Sequence, residues 1–290
     1  MINKKLFKLI PALLFILAAS IYAQVPRPKH VVIIILENHS FKQIIGSKNA
    51  PYINSLVSDK SCALFTQSYA VTHPSQPNYL ALFSGSVNGT ADDELPKVFP
   101  FTTPNLGAEL LKHGYTFAGY CEDLPETGYN GKFAGPYARK HNPWVNWQDA
   151  KRNGIPKKFN LPFTSFPKNY NKLPDVSFVI PNQLNDMHDG KEPDRITRAD
   201  TWIKDNLDSY IKWANKNNSL FILTFDEDNN TSTNLIPTLF TGQLVKAGKY
   251  NEWINHYSVL RTLEDMYKLP YEGESADVKT IEDCWIKLHK

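Results

Sequence analysis

Five short apolar runs punctuate the chain: His30–Leu36 (HVVIIIL), Tyr115–Tyr120, Val176–Ile180, Leu220–Phe225 (LFILTF) and Leu235–Phe240. They are too short for buried helices and do not alternate with polar residues, which is the pattern of strands covered on both faces. Segments with a helical period lie between them. Thr103–His113 opens on Thr103-Pro104, with proline at a first helical position, and stops at Gly114. Arg195–Lys216 brings Ile203, Leu207, Ile211 and Ala214 to one face, and His256–Tyr267 is a further amphipathic helix. Strands alternating with helices predict an α/β fold, a mostly parallel central sheet with helices on both faces. Ligands of such sheets collect at the carboxyl ends of the strands, so the chemistry is to be sought there.

Two stretches depart from this rhythm. At the start, Lys4, Lys5 and Lys8 accompany an apolar run from Leu6 to Ala19, followed by the small residue Ala23. This is the pattern of a signal peptide over residues 1–23, cleaved near Ala23. The run is shorter than the roughly 20 residues of a membrane span. No second such run occurs, so a secreted or periplasmic protein is expected, without a transmembrane span once mature. Residues 24–290 then form one domain. Within it, residues 122–172 are rich in Gly, Pro, Asn and aromatics without a clear period, and read as an irregular insertion that covers a site. A net charge of +3 without a Lys/Arg cluster argues against a nucleic-acid-binding module. No obligate protein partner is evident. Cys62, Cys121 and Cys284 are odd in number and widely spaced, which gives neither a zinc module nor a disulfide framework. Which pair would bridge, if any does, stays open.

Each of three strong strands ends in polar residues. Glu37-Asn38-His39 follows HVVIIIL, Asp226-Glu227-Asp228 follows LFILTF, and Asn185-Asp186-Met187-His188-Asp189 comes shortly after VSFVI. Hard oxygen ligands dominate: Glu37, Asn38, Asp226, Glu227 and Asp228. Carboxylates forced together repel, and a divalent cation relieves the repulsion. Oxygen donors suit Mg, Ca or Mn, while imidazole shifts the preference toward Zn. In Thr72-His73-Pro74-Ser75-Gln76-Pro77-Asn78-Tyr79, two prolines confine the entrance to a helix running through Tyr79–Phe83 and ending near Gly85. A serine there can simply cap the helix. It can also be a nucleophile whose phosphate partner is stabilised by the helix N-terminus.

Taken in order, VVIIILENHSF, HPSQPNYLALFSG, VSFVIPNQLNDMHDG, LFILTFDED with Asn234, and NHYSVLRTLEDMYKLP resemble the phosphoesterase family of acid phosphatases and non-haemolytic phospholipases C, within the alkaline phosphatase superfamily. The resemblance covers nearly all of the expected mature chain and implies an alkaline-phosphatase-like sheet. It points to Ser75, rather than Thr72 or Ser84, as nucleophile. It implies one divalent metal held by Glu37, Asn38, Ser75, Asp226 and Glu227, with Ca, Mg and Zn undistinguished and a second metal left open. His188 with Asp189 and His256 are implied in proton transfer, with Asp186 a further candidate. Asn38, His73 and Asn78 are read as substrate contacts. His73 has the alternative of packing at the helix entrance, and His256 that of a helix residue without chemistry. His30, His39, His113, His141 and His289 read as structural or exposed.

The implied activity is an acid phosphatase that hydrolyses small phosphate monoesters through a phosphoserine. The phospholipase C alternative departs at the acidic block, DEDNN here against DEHGG there, and in the longer C-terminal portion of those enzymes. A non-catalytic phosphate- or glycan-binding homologue would be free to lose Ser75 or an acidic ligand, and both are present.

Overall fold

The unbroken run His30–Leu36 forms strand β1, and its side chains enter two cores in alternation. Val31, Ile33 and Ile35 join one apolar cluster, and Val32, Ile34 and Leu36 the other. Each such side chain contributes about 1.5–3 kcal/mol when removed from water, so the strand needs cover on both sides. The computed structural model describes residues 25–286. The expected signal peptide, residues 1–23, lies outside the described residues.

The remaining strands, in chain order, are β2 (Cys62–Phe65), β3 (Ser68–Tyr69), β4 (Phe117–Cys121), β5 (Phe133–Ala134), β6 (Tyr137–Ala138), β7 (Asn160–Pro162), β8 (Val176–Ile180), β9 (Ser219–Phe225), β10 (Thr238–Gly242), β11 (Gly248–Tyr250) and β12 (Ile254–Asn255). The helices are α1 (Phe41–Ile44), α2 (Pro51–Val57), α3 (Ser75–Ser84), α4 (Leu106–Lys112), α5 (Asp194–Ala214) and α6 (His256–Tyr267). Eight strands make the central sheet, in the order β11-β2-β10-β9-β1-β8-β4-β7. From β9 to β7 every pair is parallel, with Ile33 beside both Phe178 and Ile222. Helices α3, α4 and α6 supply Leu80, Leu106 and Leu263 to one core, while α2 and α5 supply Ile53, Ile203 and Leu207 to the other. This is the mostly parallel α/β sheet that the sequence predicts.

Some boundaries move for local reasons. The run Leu235–Phe240 becomes β10 only from Thr238, and it pairs antiparallel with β9. The link between them, residues 226–237, has no helix to carry the chain across to a parallel position. Helix α4 starts at Leu106, because the Asn105 side chain accepts a hydrogen bond from the Ala108 amide at 2.9 Å and caps it. Helix α3 stops at Gly85, whose φ of +65° closes the helix. A side chain there would also collide with the Glu272 carbonyl, 1.8 Å from the position of a Cβ.

The stretch 122–172 has little regular structure and much aromatic packing. It holds the β5–β6 hairpin, five single 3-10 turns and β7, the edge strand beside β4. Trp144 and Trp147 within it are fully buried. Gly119 on β4 makes room for the Trp144 ring, since a Cβ would lie 2.0 Å from its Cε2. Cys62, Cys121 and Cys284 are free and buried, each thiol pushed up by burial, Cys62 to about 12.

Candidate active site

The carboxyl ends of β1, β8 and β9 converge on the first turn of α3. Glu37 and Asp226 leave adjacent parallel strands and are buried. Asn38 has a φ of +58°, a left-handed conformation that asparagine tolerates better than most residues. That turn lets its amide donate to Asp226 Oδ1 at 3.0 Å and its Nδ2 donate to Glu37 Oε2 at 2.9 Å. The Ser75 hydroxyl lies 3.0 Å from Glu37 Oε2 and 3.3 Å from Glu227 Oε1. Its single proton serves one carboxylate at a time. One turn on, Tyr79 donates to Glu37 Oε1 at 2.6 Å.

These acids are crowded in a dry place. Burial, and then the neighbouring Glu37, push the Asp226 and Asp186 carboxyls well above the usual range. Burial raises Glu227 to about 7, against the lowering effect of His73. Asp226 Oδ2, Asp186 Oδ2 and His141 Nε2 are buried without a hydrogen-bond partner among the described residues. His141 stands between two acids, its Nε2 3.1 Å from Glu37 Oε1 and its Nδ1 3.1 Å from Asp186 Oδ2. Burial, Lys140 and His188 all favour its neutral form, which has one N–H for two acidic neighbours. Glu37, His141 and His188 each bring one donor atom within 4.8 Å of the others. Unpartnered buried donors and clustered acids are what a divalent cation would satisfy, so the residues present fit such an ion.

On the open side, His188 Nδ1 is 2.7 Å from Asp189 Oδ1 and Nε2 is 3.2 Å from Lys140 Nζ. An ammonium only donates, so Nε2 accepts from Lys140 and Nδ1–H donates to Asp189. Lys140 also donates to Asp93 Oδ2 at 2.8 Å, and Asp93 Oδ1 accepts from the Gln76 amide at 3.0 Å. Asp93 therefore occupies an amide of the α3 N-terminus, which the sequence reading assigns to a phosphate. Lys140, His141 and Asp93 escape a reading of strand ends. They come from a 3-10 turn (Arg139–His141) and an aperiodic loop, and only the Lys140-His141 pair gives any signal.

Other sequence candidates land differently. Asn78 accepts from the amides of Val71 and Thr72 and donates to the carbonyls of Thr72 and Pro74. It braces the loop behind Ser75 and has no free group for a substrate, which corrects the sequence reading. His256 is buried, its Nε2 2.7 Å from the Asp226 carbonyl, and burial pushes its pKa down to about 4. It supports the acidic turn from beneath. His73 Nδ1 pairs with Glu227 Oε2, while its Nε2 lies 3.2 Å from the Thr231 carbonyl. Both ring nitrogens face oxygens, so the ring ties the entrance of α3 to the loop after β9. Asp228 shapes its own turn, receiving the Thr231 amide at 2.7 Å.

Comparison with known proteins adds the following. The sequence model described as "Phosphoesterase family" matches residues 48–270. A phosphatidylinositol-3-phosphatase of Mycobacterium tuberculosis is 49% identical over 90% of this chain and 84% of its own. An acid phosphatase of Aspergillus fumigatus is 30% identical over 82% of this chain, which spans 54% of that protein. Among solved structures, a Vibrio parahaemolyticus protein of the alkaline phosphatase superfamily superposes with a TM-score of 0.57 at 16% identity. That match covers 83% of this chain and 66% of the other, and shows a shared fold.

Proposed function

The chain belongs to the phosphoesterase family, hydrolases of phosphoric esters, and from that premise we propose that it cleaves phosphate monoesters through a phosphoserine on Ser75. The observation that carries this reading is the Ser75 hydroxyl within hydrogen-bond reach of two buried carboxylates at strand ends. Both named relatives are phosphatases, which supports a monoester over the diester of a phospholipase C.

Ser75 Oγ attacks phosphorus in line as its proton passes to Glu37 Oε2. Glu37, Asn38, Ser75, Asp226 and Glu227 would hold a divalent cation, and His141, between Glu37 and Asp186, would be placed to help hold a second. Such an ion supplies positive charge beside the phosphoryl oxygens and favours the serine alkoxide. The Lys140 ammonium binds a phosphoryl oxygen and gives a proton directly to the leaving oxygen. Asp189 holds the His188 ring with Nε2 unprotonated, the tautomer that the second step needs. In the second step His188 Nε2 takes a proton from the water that releases phosphate. Export directed by residues 1–23 completes the reading, and N-terminal sequencing of protein recovered outside the cytoplasm tests it.

The direct test follows p-nitrophenyl phosphate. Ser75→Ala is expected to lower kcat by at least ~10³, and wild-type protein quenched in acid during turnover should carry phosphate on Ser75 by mass spectrometry. Wild-type turnover in the variant would sink the nucleophile assignment.

A further inference from the structure

Eight large apolar side chains stand exposed among the described residues, and five of them belong to three loops beside the catalytic residues. Leu95 (51% exposed), Val98 (72%) and Phe99 (45%) lie on the loop 91–104. Phe133 (53%) is on the β5–β6 hairpin, and Leu184 (39%) follows β8. Each loop is tied to the site within a residue or two of its apolar tip. In the first, Asp93 bridges Gln76 and Lys140, and the Glu94 carbonyl accepts from Gln76 Nε2 at 2.7 Å. In the second, Lys132 pairs with Glu94, and the chain then continues into Lys140 and His141. In the third, Gln183 donates its amide to the Pro136 carbonyl at 2.9 Å and lies 3.3 Å from His188 Nδ1. The Arg139 guanidinium lies 4.7 Å from the centre of the Phe99 ring, binding the first loop to the second.

We propose that this apolar rim docks the protein on a phospholipid bilayer, with the mouth of the site turned to the lipid headgroups. The tips come from three separate loops, which fits single side chains entering the headgroup–acyl boundary. An apolar tip next to a lysine, as in Lys97-Val98-Phe99, lets the ring and methyls enter while the ammonium stays with the phosphates. Lys132 is neutralised by Glu94 and Lys140 by Asp93, so insertion of apolar side chains holds the protein and charge attraction contributes little. The consequence for substrate rests on the phosphoesterase reading of Ser75: the monoester is one carried by a membrane lipid, hydrolysed without leaving the bilayer.

The experiment is co-sedimentation with phosphatidylcholine vesicles containing a minor fraction of phosphatidic acid, at low and high salt. Phosphate release from the vesicles and hydrolysis of soluble p-nitrophenyl phosphate are followed alongside. The wild-type chain should bind at both salt concentrations. Val98→Asp combined with Phe133→Asp should lower vesicle binding and release from phosphatidic acid by about tenfold or more, with the soluble rate unchanged. Absence of wild-type binding, equal binding by the variant, or binding lost at high salt would each overturn the docking proposal. So would a wild-type dimer in size-exclusion chromatography that the double variant dissociates, since a second copy would then cover the rim. Vesicle binding without hydrolysis of either ester would leave docking intact and defeat the catalytic reading instead.

Discussion

Asn78 makes four hydrogen bonds to the backbone of residues 71–74, and its replacement distinguishes a brace from a substrate contact. Asn78→Ala strips buried amides and carbonyls of their partners and is expected to cost at least ~2 kcal/mol, measured by urea unfolding, with kcat falling more than KM rises. A change in KM alone at unchanged stability would restore the substrate role. Lys140 is the other residue on which the site turns. If it feeds the leaving-group proton, Lys140→Met should slow hydrolysis of an alkyl phosphate by about 10² or more. Hydrolysis of p-nitrophenyl phosphate, whose leaving group departs as a stable anion, should slow much less, and equal losses would mean that Lys140 only binds phosphate. Glu37, Asp226 and Ser75 were legible in the sequence because strand ends and proline brackets mark them. Lys140, His141 and Asp93 were not, since their positions come from packing around Trp144 and from the loop that reaches over Gln76.

Helix α6 and the segment after it hold acids outside the candidate site. Burial, followed by Glu264 and Glu109, pushes Glu272 well above the carboxylate range, and burial raises Glu264 from 4.5 to about 7. Both Glu272 carboxylate oxygens are buried without a partner among the described residues. The folded state therefore prefers the protonated forms. Below the unfolded value of 4.5 both states are protonated and folding bears no penalty. Between 4.5 and about 7 the unfolded chain ionises first, so stability falls as pH rises through that window. Glu272→Gln should raise Tm at pH 8 and leave it near the wild-type value at pH 4, checked by calorimetry. A pH-independent effect would assign the gain to packing. The elements themselves were largely readable: β1, β8 and α6 have the bounds that the apolar runs and the helical period give. Strands β2 and β11 were missed, since Cys62–Phe65 and Gly248–Tyr250 are too brief to show a period.

At the scale of the molecule, Glu37, Asp186, Asp226 and Glu227 are drawn into one dry volume by the ends of three parallel strands. A cation bound there favours the folded state alone, by about 4 kcal/mol at a thousandfold excess over Kd. Chelator should lower Tm by several degrees and divalent metal should restore it. Asp226→Asn should abolish the restoration, and a Tm indifferent to chelator would exclude a tightly held ion. The sequence by itself determined the α/β class, both layers of cover and which strand ends carry acids, because burial periodicity and turn residues act over a few neighbours along the chain. Only the tertiary structure decided which acids meet, that His141 stands between two of them, that Lys140 addresses His188, and that loops with exposed apolar tips are tied to the site. Those relations join residues far apart along the chain, such as Glu37 to His141 and Ser75 to Glu227. They depend on the order in which the sheet places its strands and on how an aperiodic insertion packs, and neither leaves a local pattern in the sequence.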